Sequence, residues 1–410
     1  MSQELVQPAA MRKSRFDPFF YEKSLSTKLK QCGVEKEVRM AVRCDPLTGF
    51  AAYLSEERAK RKMQILRTHI HYEKNCDFCN PYTNTPEPRK HHEGGAVSVP
   101  NFYPWWLCQF VTIYPPFRRE GETGEVLHRL FPSELDQKDL TSMVESMWDL
   151  ANYAYAQRAQ SFLSFMNWGP YAGASRQHPH SQFTFMEYGG PIFSLLRLEM
   201  DRAREYYLET GRNIYDDYIA YEESGAARKI YSDGEVYIGA PFAPRFTDEI
   251  IIIPKLPVSS ILGLESREHR QSLIQPAWGI FPFLYFYRSV ANFNVVAHNA
   301  PIVQVEEDAE HGISPDKYYR MHFHILPRRG SLPIEIAGAE VGALGSVLSK
   351  YPEDTAASAR KWYAGPSEDE IPKKLVREGE AAVEIPDEEL IEQFRACMRS
   401  MPQQQFYWIE

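Results

Sequence analysis

No apolar run in the chain comes near the roughly 20 residues that a membrane-spanning helix needs, so a membrane protein is not expected. An excess of positive charge is also missing. The formal net charge of -9 argues against general nucleic-acid binding, which shows as a basic surface. Cysteine is sparse, with six in 410 residues, and only Cys76 and Cys79 form a close pair, so a disulfide framework is not indicated. Residues 1–21 mix Glu4, Arg12, Lys13, Arg15 and Asp17 without an apolar core and do not read as a secretory signal; a cytoplasmic protein is expected. There is no short repeat, and no low-complexity tract beyond the polar stretch 80–95, which reads as a loop.

What is present is the composition of a soluble globular protein, 43% hydrophobic and 25% charged, with length for two units of roughly 100 to 200 residues each. A coarse pattern occurs twice: an apolar run, a helical stretch, then an extended segment with two histidines one residue apart. In the first half these are residues 107–114, 133–165 and His178-Pro179-His180-Ser181-Gln182. In the second half, a strand at 249–254, a helical stretch at 265–290 and a strand at 292–297 precede Met321-His322-Phe323-His324. The repetition predicts an α+β fold of two similar halves, each a sheet with helices packed against it. The expected boundaries are 1–200, 201–364 and a tail at 365–410 that contains a short helix at 388–401.

Strand alternation puts His178, His180 and Gln182 on one face, and Pro179 suits an edge strand or an end that a ligand approaches. A neutral imidazole is a competent nucleophile at pH 7. An arbitrary pair of histidines on an edge strand is more often surface decoration, but the preceding turn, residues 165–175, is rich in small residues that let phosphate oxygens reach backbone amides. Cys76 and Cys79, two residues apart, have the spacing of half a tetrahedral zinc site.

Five separated segments, in order, carry a resemblance: Asp45-Pro46-Leu47-Thr48-Gly49 with Glu57-Arg58-Ala59-Lys60-Arg61; Cys76-x-x-Cys79; Asn167 to Gln182; His298-Asn299-Ala300-Pro301; and His322-x-His324. Together they resemble the galactose-1-phosphate uridylyltransferase family of the histidine-triad superfamily. The resemblance implies two tandem histidine-triad-like halves, each an antiparallel sheet with packed helices, forming one pseudo-symmetric unit and a homodimer. It implies that His180 attacks the α-phosphorus of a nucleotide sugar to give a covalent nucleotidyl-histidine, and that a phosphorylated small-molecule acceptor then takes the nucleotide. Gln182 would bond a non-bridging phosphate oxygen, Asn101, Asn167, Gly173 and Ser175 would bind substrate, and Arg58 and Arg61 would hold donor phosphates, although an Arg-Ala-Lys-Arg run is also an ordinary solvated helix face. The zinc ligands implied are Cys76, Cys79, His128 and His178. Residues 118–121 look inserted upstream of His128, which leaves His69, His71, His91 and His92 as substitutes. A second metal, iron or zinc, would lie among His298, His322 and His324 with a glutamate, where spacing from His180 lands near Leu196 and offers Glu187 or Glu199. The acceptor region departs from the family: its lysine falls on Ile334, which leaves phosphate binding to Arg328 or Arg329. Four activities remain open: a nucleotidyltransferase acting on a sugar 1-phosphate, a phosphorylase of ADP-glucose or of a dinucleoside polyphosphate, a catalytically silent zinc-bearing nucleotide-binding protein, and a hydrolase.

Overall fold

The computed structural model describes residues 20–31, 34–54, 76–102, 108–126, 129, 131–186, 194–225, 227–288, 290–328, 346–348, 350–365, 392 and 395. Ten strands form one antiparallel sheet: β4 (Lys90–His91), β5 (Val97–Pro100), β6 (Gln109–Ile113), β7 (Ser161–Trp168), β8 (His180–Met186), β9 (Lys229–Ser232), β10 (Val236–Gly239), β11 (Ile250–Pro254), β12 (Phe293–His298) and β13 (His322–Pro327). Their order across the sheet is β4-β5-β6-β8-β7-β12-β13-β11-β10-β9, which reads alike from either edge. Each half therefore contributes five strands in the same order, and β7 joins β12, with Trp168 opposite Phe293. This is the pseudo-symmetric α+β unit expected from the repeated pattern.

Helices cover the sheet because its apolar residues face both ways. The helix Gln137–Ala156 starts at Asp136, whose carboxylate accepts from the amides of Lys138 and Asp139, while Asp139 accepts from the Asp136 amide. Its Leu140, Val144, Met147, Leu150 and Ala151 are buried at helical spacing. They join one core with Phe162, Phe183, Ile250, Ile252 and the helices Arg267–Ala277 and Ile280–Arg288. Ile251 and Ile253 point the other way, into a second core with Leu196, Met200, Tyr215 and Tyr218 of the helices Ser194–Thr210 and Ile214–Glu223. Burial on both faces explains why the strand reads as unbroken isoleucine.

A second sheet of four strands combines β1 (Tyr21–Gln31), β2 (Val34–Cys44) and β3 (Ala51–Leu54) from the start of the described chain with β14 (Ser346–Leu348), which pairs parallel to β3. Buried Arg43 ties it to Glu353, which also pairs with Arg228. Among the described residues no helix is long and apolar enough to cross a membrane.

Several expectations are corrected in detail. The helical stretch 133–165 is a helix only to Ala156, and strand β7 begins at Ser161. The stretch 265–290 is two helices. Of the two places expected for Pro179, an edge strand or a strand end, it takes the second: β8 lies between β6 and β7, and Pro179 stands just ahead of its first residue. The expected division at residue 200 falls inside the helix Ser194–Thr210. The tail from 366 onward, apart from 392 and 395, lies outside the described residues.

Candidate active site and metal centres

His180 opens strand β8 opposite Ile113, and Gln182 follows opposite Val111, so both project over the face that carries the small apolar cluster Val97, Val99, Val111 and Ile113. Nδ1 of His180 lies 2.8 Å from the carbonyl of His178. A carbonyl only accepts, so Nδ1 holds the proton and Nε2 keeps the lone pair. Burial pushes the His180 imidazole down to about 4, opposed by that same backbone bond, so the ring is neutral. Phe78 packs edge-on at 5.1 Å between ring centroids. The Oε1 of Gln182 accepts from Gln109 Nε2 at 2.7 Å, which turns its own NH2 group outward.

The turn ahead of β8 is shaped by Gly169, at φ 81, where a Cβ would stand 2.0 Å from Asn292 Oδ1. That same oxygen accepts from the Tyr171 amide. Gly173 adopts a left-handed conformation, and Gly173 and Ser175 are exposed on the turn. Asn167 accepts at Oδ1 from Asn294 Nδ2, and Asn294 accepts in turn from Arg328 Nη1 at 3.2 Å, so the structure links Asn167 and Arg328 through one side chain. Asn101 follows β5, its amide donating to the carbonyl of Gln109 at 2.8 Å, and lines a pocket of about 460 Å³ with Arg89, Gln109, Phe110 and Tyr153.

Cys76, Cys79 and His178 come together, all buried. His178 donates from Nε2 to the Tyr114 carbonyl at 2.7 Å, so its lone pair is on Nδ1, 3.5 Å from Cys79 Sγ. The hydrogen bond from Cys79 holds the Cys76 thiol down to about 4 against its burial. Two thiols and an imidazole lone pair with their donor atoms within 4.8 Å of one another could hold a metal ion. Arg176 bonds Asp77 at 2.6 Å and fastens the cysteine turn to the neck of β8.

Glu199, His298, His322 and His324 form a second buried group whose ligand atoms lie within 4.8 Å of one another. Nε2 of His322 is buried with no hydrogen-bond partner, which suits a bound cation. Of the two glutamates the spacing offered, Glu199 is here, on the helix Ser194–Thr210, while Glu187 lies outside the described residues, as do Arg58, Arg61, His69, His71, His128, Arg329 and Ile334. His91 and His92 do not serve as substitutes at the cysteine pair. His91 is exposed and stacks on Tyr82. His92 is buried and spends both ring nitrogens, on Asp149 at 2.6 Å and on Ser98 at 2.7 Å.

Sequence reasoning missed Gln109, Glu249, Asp77 and Arg176. Gln109 had one signal, a long polar side chain at the head of a largely apolar strand, whose partner is 73 residues away.

No protein-family profile matches the chain. It is 24% identical over 343 residues to galactose-1-phosphate uridylyltransferase of Thermotoga maritima, across 78% of this chain and 98% of that one. It is 21% identical over 364 residues to ADP-glucose phosphorylase of Arabidopsis thaliana, across 78% and 92%. Its fold matches the crystal structure of an Arabidopsis thaliana ADP-glucose phosphorylase with bound ADP-glucose at a TM-score of 0.62 and 20% identity, covering 78% of this chain and 97% of that one. In sequence and fold, then, the chain is similar to galactose-1-phosphate uridylyltransferases and ADP-glucose phosphorylases.

Proposed function

We propose that the protein is a nucleotidyltransferase that draws a nucleoside monophosphate from a nucleotide sugar onto His180 and passes it to a sugar 1-phosphate. The observation that carries this reading is the bond from His180 Nδ1 to the His178 carbonyl, which reserves Nε2 as nucleophile. In the first half-reaction Nε2 attacks the α-phosphorus; the P–N bond forms as the P–O bond to the leaving sugar phosphate breaks. The ring then carries a positive charge, its Nδ1 proton still held by the carbonyl. In the second half-reaction a phosphate oxygen of the acceptor attacks, the P–N bond breaks, and its electron pair returns to Nε2. No net proton transfer is required, because leaving group and acceptor are both phosphate anions.

The NH2 of Gln182 donates to a non-bridging oxygen where charge builds in the transition state. Asn167, Gly173 and Ser175 hold the remaining donor phosphate and Asn101 the nucleoside, while Arg328 meets the acceptor phosphate. Arg58 and Arg61 belong to the donor side, across a homodimer interface. Cys76, Cys79, His178 and His128 would hold zinc, and Glu199, His298, His322 and His324 iron or zinc. Bound there, the first ion would supply a rigid tether between the cysteine turn and the strand of His180, and the second would fasten the helix Ser194–Thr210 to strands β12 and β13.

A second reading, a phosphorylase that takes inorganic phosphate as acceptor, is favoured by the acceptor region. Arginine stands at 328 and isoleucine at 334, where the uridylyltransferases carry a lysine, and a relative spanning most of the chain is an ADP-glucose phosphorylase. Isotope exchange tests the shared mechanism. Labelled glucose 1-phosphate should enter UDP-glucose or ADP-glucose with no second acceptor present, and the donor that exchanges identifies the base. Turnover without exchange would contradict a two-step transfer. Replacing the acceptor by inorganic phosphate then separates the two readings.

A further inference from the structure

The pairing of strands aligns the two halves residue by residue. Gln109 faces Thr184, two residues beyond Gln182, and Glu249, just ahead of Ile250 opposite Ile325, falls at the matching place two residues beyond His324. In each half the residue on the neighbouring strand bonds the side chain two residues past the strand's first histidine: Gln109 to Gln182 at 2.7 Å, and His324 Nδ1 to Glu249 Oε1 at 2.6 Å. Glu249 is buried, and its other oxygen accepts from the backbone amides of Arg245 and Phe246, at 2.6 and 3.1 Å. The carboxylate is thus fixed by the turn that precedes its strand. Because Glu249 accepts, His324 carries its proton on Nδ1 and offers the Nε2 lone pair. His298, His322 and His324 form a triangle of imidazoles with centroids 4.8 to 5.0 Å apart.

We propose that Glu249 is a positioning residue for a divalent cation at Glu199, His298, His322 and His324. It sets the tautomer and angle of His324 and makes its Nε2 a better donor, leaving Glu199 as the carboxylate that touches the ion. The inference rests on the second-cation reading given above. It assigns the C-terminal half a device like the one that orients Gln182 in the N-terminal half: a partner one strand away that fixes the working side chain.

Metal stoichiometry and release to a chelator, followed with zinc and with cobalt(II), test it on the intact protein. The wild type should hold a cation at this cluster. Glu249→Ala should release it about 10- to 100-fold faster, with Glu249→Gln in between, since its single amide oxygen replaces only one of the two acceptors, that for His324 Nδ1 or that for the Arg245 and Phe246 amides, and adds no charge. The cation at Cys76 and Cys79 should leave at the wild-type rate in both variants, and the visible cobalt(II) spectrum of the second site should shift. A general loss of stability would not produce that selectivity. If Glu249→Ala does not fold, Glu249→Gln alone decides. Folded variants that release the second cation at the wild-type rate would overturn the assignment of Glu249. A wild type that binds nothing at the cluster would instead overturn the second-cation reading, and this inference with it.

Discussion

His180 and His322 stand at matching registers of the two halves, and each donates its Nδ1 proton to the carbonyl two residues upstream, at 2.8 Å to His178 and 2.9 Å to Arg320. One backbone device therefore fixes the same tautomer twice. What differs is the surroundings. His180 lies beside the glycine turn, whereas His322 lies beneath the helix that brings Glu199, whose carboxylate is 3.8 Å from its Nε2. The first environment suits phosphate and the second a cation.

Cys76→Ser should lower metal content before it affects chemistry. Its thiol belongs to a cluster that joins the cysteine turn to His178, two residues from His180. Structural zinc contributes about 10 kcal/mol of apparent binding energy. We expect the variant to lose one zinc per chain and to melt at lower temperature, with the remaining folded fraction still active. Zinc analysis beside thermal unfolding checks this, and an unchanged zinc content would remove Cys76 from the site.

Gln182→Ala should lower kcat roughly a hundredfold, the usual cost of removing one donor to developing charge. Gln109→Leu should cost less, roughly tenfold, because Gln182 stays present but loses its orienting bond. The pair should be non-additive in a double-mutant cycle, since both act through one amide. Additive losses would show that Gln109 does not work through Gln182.

Gly169→Ala should destabilise the fold by roughly 2–4 kcal/mol, because the site needs a positive φ and the new methyl would collide with Asn292 Oδ1. Denaturant unfolding measures it. A loss below about 0.5 kcal/mol would mean the turn relaxes freely.

The buried His92 predicts how stability varies with pH. Burial lowers its pKa in the fold, with Asp149 opposing. The unfolded chain then binds the proton at higher pH than the folded one does, so this group's effect is absent above about 6.5 and costs stability as pH falls below it. His92→Asn should flatten the dependence of melting temperature between about pH 5 and 7 relative to the wild type. An identical slope would remove His92 as a contributor.

Much of the site was legible because strand alternation needs only sequence: His180 with Gln182, and His322 with His324, share faces as expected. The fold class followed from the repeated pattern. Other features were hidden for physical reasons. The end of the helix Gln137–Ala156 has no glycine to mark it: Arg158 adopts φ 58 there, and the strand that follows continues the apolar run. Glu199 sits on a helix from the first half of the chain and reaches histidines about 100 to 125 positions later, a closeness created only when the sheet is joined at β7 and β12. Glu249 looked like the polar start of a strand because nothing local reveals that its partner is 75 residues away.

The most direct test of the account is the intact mass of the protein after mixing, separately, with UDP-glucose, ADP-glucose, GDP-mannose and diadenosine polyphosphates. We predict a gain equal to one nucleoside monophosphate with the true donor, absent in His180→Ala, which should keep its fold and zinc. A variant that turns over at the wild-type rate, or an adduct that persists without His180, would contradict the assignment of His180 as the residue that carries the nucleotide.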